Sequence, residues 1–116
     1  MVYKPGQPTK ADILIVDDTP DNLRVLSAML ANRGYDVRKA LSGQRAIASV
    51  QSELPDLILL DIKMPEMNGY EVCRCLKTTP QSREVPIIFI SALDDALDKV
   101  KAFAAGGVDY ITKPFQ

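Results

Sequence analysis

The 116-residue sequence contains no histidine at all and only two cysteines. Without histidine, Ser-His-Asp catalysis, Cys-His catalysis and every histidine-containing metal site are excluded. Cys73 and Cys75 lie two positions apart on a predicted helix, about 200° apart around its axis, so they face different directions. We interpret one as a small core residue and the other as a residue with no specific role. This use of cysteine fits a reducing, cytosolic setting.

The sequence also lacks long apolar runs and any excess of one charge. The longest apolar runs, residues 13–16 and 57–60, are far too short to cross a bilayer, and residues 1–10 contain no apolar signal-peptide segment. With 14 basic and 15 acidic residues, the net charge of −1 gives no indication of a nucleic-acid-binding surface. We therefore expect a cytoplasmic globular domain that contacts neither membranes nor nucleic acids.

The length fits a single domain with one well-covered core. Residues 1–11 include Pro5, Gly6 and Pro8 and few apolar side chains, so we expect a flexible leader there. Residues 12–116 then form the domain.

From residue 12 onward, short apolar runs alternate with helical patterns. The predicted strands are residues 12–16, 35–40 (an edge strand), 57–60, 85–90 and 108–112. The first predicted helix begins at Pro20, after an N-cap at Thr19, and is closed by Gly34. The second covers residues 42–53 and the third about residues 70–77. The fourth begins at Asp94 or Asp95 and ends at Gly106. This strict alternation requires right-handed crossovers and predicts a doubly wound α/β domain with a parallel sheet.

A doubly wound sheet needs helices on both faces, but the sequence ends just after the fifth predicted strand. We therefore expect that a fifth helix is missing and that one sheet face is short of cover. An uncovered patch of that size costs several kcal/mol at about 25 cal/mol per Å². We hypothesise that the chain was cut from a longer protein or that a partner covers the patch.

Polar side chains follow four of the five predicted strands. They are Asp17 and Asp18 after the first strand, Asp61 after the third, Ser91 after the fourth and Lys113 after the fifth. In an open α/β sheet, ligands bind outside the carboxyl ends of the strands, where these side chains would converge.

The charges at this edge favour a divalent cation. Two carboxylates 4 Å apart repel by about 4 kcal/mol at an effective dielectric constant near 20. The predicted sheet brings three carboxylates together. Mg²⁺ or Mn²⁺, with Lys113, would balance them, because oxygen ligands suit these hard cations. A carboxylate can attack phosphorus and form an aspartyl phosphate, with Ser91 bonding a phosphoryl oxygen.

At these residues the sequence resembles the receiver domain of two-component response regulators, over about residues 12–115. The matching segments are ILIVDD at 13–18, LLDIKMPEMNG at 59–69, IFISA at 88–92 and DYITKPF at 109–115. The resemblance implies a flavodoxin-like fold with strand order 2-1-3-4-5. It also implies a signalling role in a phosphorelay, with a histidine kinase or histidine phosphotransfer protein as partner.

By this resemblance, Asp61 is the phosphoacceptor. Asp18 would bind Mg²⁺ directly, Asp17 mainly through water, and the backbone carbonyl of Lys63 would complete the protein ligands, with Mn²⁺ able to substitute. The domain would phosphorylate and dephosphorylate only itself, so it is not expected to be an enzyme that acts on other substrates.

The resemblance also implies a switch. Ser91 and Lys113 would each contact the phosphoryl group, with Lys113 held by a cis bond to Pro114. Tyr110 would turn into the space that Ser91 vacates, which couples the site to the surface of the fourth helix and last strand. A half-buried strand tyrosine with a solvated hydroxyl is the alternative interpretation of Tyr110. A homodimer could form through the uncovered sheet face or the fourth-helix face.

Three other functions compete with this one. A haloacid-dehalogenase-like phosphatase needs an acid two residues after its nucleophile, where this sequence has Lys63. A flavin- or nucleotide-binding module would place phosphate beside Asp17 and Asp18, which repel it unless a metal intervenes. A pseudo-receiver that binds partners without phosphorylation remains open, although all five site residues are present.

Overall fold

The computed structural model describes residues 10–91 and 99–112. Its strands are β1 (Asp12–Val16), β2 (Asp36–Ala40), β3 (Leu57–Asp61), β4 (Ile87–Ser91) and β5 (Asp109–Thr112). Its helices are α1 (Pro20–Ala31), α2 (Gly43–Ser52), α3 (Gly69–Thr78) and α4 (Lys99–Ala105). The five strands form one sheet in the order β2-β1-β3-β4-β5, and every neighbouring pair is parallel. The predicted doubly wound architecture, with β2 at an edge and β3 in the centre, is confirmed.

Four of the five strands differ from the sequence prediction by one or two residues at an end: β2 and β5 begin one residue later, β3 ends one residue later, and β4 is displaced toward its carboxyl end. β3 extends to Asp61, so this carboxylate belongs to the last residue of the strand rather than to the following loop. β4 begins at Ile87 instead of residue 85, because Pro86 has no N–H to donate to the ladder. The carbonyl of Pro86 still accepts a 3.0 Å hydrogen bond from the amide of Ile58.

The helix ends follow the predicted signals in part. Thr19 does occupy the N-cap position of α1, but its side chain makes no capping bond. At the start of α3, by contrast, Asn68 forms a complete capping box: the side chains of Asn68 and Glu71 each accept a hydrogen bond from the other residue's backbone amide. The predicted start of the fourth helix at Asp94 or Asp95 and the predicted leader at residues 1–11 fall wholly or mainly outside the described residues.

Both faces of the sheet carry apolar clusters. One cluster joins β1, β3 and β4 to α2, α3 and α4, with Phe89 and Leu60 fully buried in its centre. The other joins Leu23 and Leu26 of α1 to the opposite sheet face. A core on both faces explains why β3 is apolar at four successive positions.

The α1 face is less covered toward β5. Ile111 pairs with Ile90 in the parallel ladder, so both side chains lie on this face, but Ile111 is 40% exposed while Ile90 is fully buried. Leu57 and Ile88 are half-buried there. Coverage of this end of the sheet by a further segment or by a partner stays a prediction. Within the described part of the chain, no helix has the length and apolar character to cross a membrane.

The two thiols differ in environment, as their spacing predicts. Cys73 is fully buried and its thiol donates a 3.2 Å hydrogen bond to the carbonyl of Ala105. Burial raises the pKa of Cys73 from 9.0 to about 11, against the smaller opposing effect of Lys77 and Arg74. Cys75 is only half-buried.

We expect iodoacetamide at pH 8 to alkylate Cys75 and to spare Cys73 in the folded protein. The raised pKa lowers the thiolate fraction of Cys73 about 100-fold relative to a thiol with a pKa of 9.0, and burial blocks access as well. Peptide mass mapping measures the outcome. A Cys75→Ala variant, which should incorporate no label until it is unfolded in urea, is the control. Rapid labelling of Cys73 in that folded variant would contradict the packing described.

Candidate functional site

Three carboxylates meet at the carboxyl edge of the two central strands. Asp17 and Asp18 follow β1, and Asp61 ends β3, which pairs directly with β1. One oxygen from each carboxylate lies within 4.8 Å of the others. Asp17 and Asp61 are buried, at 2% and 4% exposure, whereas Asp18 is exposed. The convergence predicted for these three residues is therefore present.

Within residues 10–91 and 99–112, three hydrogen bonds help to hold Asp17 in place. Its Oδ1 accepts from the backbone amide of Thr19 at 2.9 Å, and its Oδ2 accepts from the Nδ2 of Asn22 at 3.3 Å. Its own amide donates to the carbonyl of Ala40 at 3.1 Å. Asn22 was missed by the sequence reasoning. Its place in the first turn of the helix that follows the acidic pair is the signal that could have identified it.

Asp61 is positioned through its backbone by the start of α3. The amide of Gly69 donates to the carbonyl of Ile62 at 2.8 Å, and the amide of Ile62 donates to the carbonyl of Ile90 at 3.1 Å. A Cβ on Gly69 would overlap the carbonyl oxygen of Asp61 and lie 2.8 Å from the Cα of Ile62. Only glycine allows α3 to begin this close to the acidic residue. Gly69 directly precedes the helix predicted over about residues 70–77, and sequence reasoning gave it no role at the site.

Ser91 lies at the same edge of the sheet. It ends β4, is 4% exposed, and follows Ile90, which pairs with Asp61. Tyr110 lies on β5 opposite Phe89, is half-buried and packs against the larger apolar cluster. The strand-end placement predicted for Ser91 is therefore present. The half-burial of Tyr110 fits both the predicted switch and the alternative of a strand tyrosine with a solvated hydroxyl, so the switch stays a prediction.

Three further predicted positions are not placed by these contacts. Lys113 and Pro114, and the cis bond predicted between them, lie outside the described residues. Lys63 is exposed in the β3–α3 loop, and the role assigned to its carbonyl stays a prediction. The same loop holds Glu66 at a positive φ of 68°, which is uncommon for a residue with a side chain.

The donor set at this edge fits a hard divalent cation. All three clustered side chains offer carboxylate oxygens, which Mg²⁺ and Mn²⁺ prefer, and there is no imidazole or thiolate among them. Bringing three negative charges within 4.8 Å is costly without a counter-charge, and a dication supplies one. Asp17, Asp18 and Asp61 are thus the residues that could hold such an ion.

Comparison with known proteins agrees with this geometry. Residues 13–116 match the family model of the response regulator receiver domain. The chain belongs to the response regulator receiver family. Response regulator PleD of Caulobacter vibrioides is 44% identical over 104 residues, which cover 90% of this chain but 23% of that protein. Protein PilH of Pseudomonas aeruginosa is 40% identical over 90% of this chain and 86% of its own length.

Solved receiver structures share the fold. The N-terminal domain of a response regulator receiver protein from Methanoculleus marisnigri JR1 superposes with a TM-score of 0.84 at 35% identity, over 91% of this receiver chain and 86% of its own. Members of the receiver family take a phosphoryl group on an aspartate as part of two-component signalling. This receiver spans less than a quarter of the length of PleD.

Proposed function

We propose that Asp61 of this receiver accepts a phosphoryl group from a phosphohistidine, on a histidine kinase or a histidine phosphotransfer protein, in a Mg²⁺-dependent reaction. The observation that carries the proposal is the acidic cluster, in which Asp61 lies with Asp17 and Asp18 within 4.8 Å at a sheet edge. The three carboxylates lie close enough together for a cation and a phosphoryl group to be bound there, with Asp61 as the proposed nucleophile.

Each of the three aspartates has its own role in the proposed reaction. A carboxylate oxygen of Asp61 attacks phosphorus while the bond from phosphorus to the donor's imidazole nitrogen breaks, and that nitrogen keeps the electron pair. Asp18, being exposed, would bind the cation directly, whereas Asp17 is already engaged by Thr19 and Asn22 and would act mainly through water. When bound, Mg²⁺ neutralises charge on the phosphoryl oxygens and on the acidic cluster.

Ser91 and Lys113 are proposed to contact the transferred phosphoryl group, with Lys63 contributing its carbonyl to the cation and Pro114 fixing Lys113 through a cis bond. Burial of Ser91 at the end of β4 supports this assignment for its hydroxyl. Movement of Ser91 would free space for the half-buried Tyr110 ring, two strands from Asp61. The site would thereby change the surface formed by α4 and β5.

We further propose that the domain acts in the cytoplasm and catalyses only its own phosphorylation and dephosphorylation. Its two thiols are both unpaired, which fits a reducing compartment. A phosphatase acting on other substrates is disfavoured because Lys63 stands where the haloacid-dehalogenase-like reaction needs a second acid.

A second copy of the receiver is proposed as a further partner. Two surfaces offer exposed apolar side chains for it. Phe103 and Val108, at 50% and 57% exposure, lie on and just after α4, and Ile111 is 40% exposed on the α1 face of the sheet. Association through either surface would bury this apolar area.

Acetyl phosphate, a small phosphodonor, tests the Mg²⁺ dependence. We expect intact mass spectrometry to show one phosphoryl adduct with Mg²⁺ and none with EDTA. An Asp18→Asn variant should need at least about tenfold more Mg²⁺ for half-maximal labelling, because it loses a proposed direct ligand. The control is Asp21→Asn, which removes an exposed carboxylate that pairs with Arg24 on α1, outside the acidic cluster.

Labelling in EDTA, or the same Mg²⁺ dependence in both variants, would contradict the proposed metal site. A folded wild-type protein that takes no phosphoryl group at all would instead favour a pseudo-receiver that binds partners without phosphorylation.

A further inference from the structure

Helices α3 and α4 contact each other at three successive levels. Nearest the acidic edge, the Nζ of Lys101 lies 4.9 Å from the centre of the Tyr70 ring. At the middle level, the thiol of Cys73 donates its hydrogen bond to the carbonyl of Ala105. At the far level, Lys77 packs against Gly106, the residue after α4.

The Tyr70 level is connected to the site. Tyr70 directly follows Gly69, whose backbone packs against the carbonyl of Asp61. The Tyr70 ring is 7% exposed and packs against the Phe89 ring, with the centroids 5.3 Å apart and the planes tilted by 55°. Phe89 precedes Ser91 by two residues on β4. Tyr70 therefore links the β3–α3 loop, β4 and α4.

The far level is closely packed. A Cβ on Gly106 would lie 2.7 Å from the Cγ of Lys77, and Gly106 has a φ of +112°, which favours glycine. Lys77 is itself held by hydrogen bonds from its Nζ to the carbonyls of Arg83, at 3.1 Å, and Val85, at 2.6 Å. A displacement of α4 would thus pivot near Gly106 and be largest near Lys101.

The contact at the moving end is a weak one that can open and close. Lys101 is exposed, and an exposed cation–π pair contributes only a few-fold to an equilibrium. The middle and far levels, by contrast, consist of a buried hydrogen bond and of the Lys77 side chain packed against Gly106. A contact of this strength can bias a two-state equilibrium without locking it.

We propose that the Lys101–Tyr70 contact holds α4 in its resting position and opposes phosphorylation of Asp61. This inference rests on the proposed function and deepens it, since it assigns to Lys101 and Tyr70 a positioning role in the switch. Phosphoryl binding draws Ser91 and the end of β4 toward Asp61, α4 pivots about Gly106, and Lys101 leaves the Tyr70 ring. Removing the contact therefore shifts the population toward the phosphorylation-competent arrangement.

The test uses the rate of labelling by acetyl phosphate in saturating Mg²⁺. We expect Lys101→Met to raise the initial rate about two- to fivefold, the range that an exposed cation–π pair supplies. Lys101→Arg keeps a cation over the ring and should label at the wild-type rate. Lys39→Met, on the opposite edge strand β2, is the control for the loss of one exposed lysine charge.

A double-variant cycle isolates the contact from other effects of each side chain. Tyr70→Leu keeps apolar volume but removes the ring, so adding Lys101→Met to it should produce no further increase in rate. Amide hydrogen exchange of residues 99–105 without phosphodonor should be faster in Lys101→Met than in wild type and unchanged in Lys39→Met. This second readout is independent of phosphorylation.

An unchanged or lower rate in Lys101→Met, or strictly additive effects in the cycle, would overturn the inference while leaving the phosphoacceptor role of Asp61 intact. Wild-type protein that takes no label would refute the proposed function instead. The contact between the helices would then be judged by hydrogen exchange alone, where equal exchange in wild type and Lys101→Met overturns it.

Discussion

Asp61→Asn is expected to take no phosphoryl group from acetyl phosphate under conditions that label the wild-type receiver stoichiometrically. The amide cannot act as the nucleophile toward phosphorus. The variant should remain folded, because an amide fits the volume of the carboxylate and removes one of three clustered charges. Intact mass spectrometry gives the labelling, and urea unfolding gives the stability.

The matched control for this variant is Asp36→Asn, which alters an exposed acid at the start of β2, at the opposite end of the strands from the acidic cluster. It should label as the wild type does. Stoichiometric labelling of Asp61→Asn would contradict the assignment. A loss of labelling in both variants would mean that the loss in Asp61→Asn is not specific to the site.

Gly69→Ala is expected to lower the free energy of unfolding by at least about 2 kcal/mol. The added Cβ overlaps the carbonyl oxygen of Asp61 and also lies 2.8 Å from the Cα of Ile62, and both neighbours are backbone atoms that cannot rotate away. The start of α3 must therefore move away from the backbone at the end of β3. Urea unfolding measures the loss, and slower labelling by acetyl phosphate should accompany it.

Gly34→Ala provides the comparison for this prediction. Gly34 has a φ of +90°, but a Cβ added there would meet nothing within 4 Å, so its replacement costs only backbone strain, about 1 kcal/mol. Gly34→Ala should also label at the wild-type rate, since it lies in the turn between α1 and β2. Equal destabilisation by the two substitutions would contradict the close approach of α3 to Asp61.

The fold could be predicted from the sequence because each strand and helix has its own local pattern. Short apolar runs separated by helical periodicities predict a parallel sheet, and the chirality of crossovers leaves few topologies. The same rule brings the ends of parallel strands to one edge, which is why the meeting of Asp17, Asp18 and Asp61 was predictable.

Features that depend on packing between distant elements carried no such local pattern. Glycine is common in loops, so the residue type of Gly69 does not reveal its role. Only the packing of α3 against the Asp61 backbone shows why glycine is required there. The contact of Lys101 with Tyr70 joins two helices whose relative position no periodicity specifies. Thr19 shows the reverse case, since its type predicts a capping bond that its side chain does not make.

The assignment of Asp61 as the residue that carries the phosphoryl group can be tested at the level of the single side chain. Wild-type protein is labelled with acetyl phosphate and Mg²⁺, the product is reduced with borohydride, and the peptides are sequenced by tandem mass spectrometry. Reduction converts a phosphorylated aspartate to homoserine and leaves free carboxylates unchanged. We expect homoserine at position 61 alone, dependent on Mg²⁺. Homoserine at position 17 or 18, or no homoserine in protein that carries a phosphoryl group, would contradict the assignment.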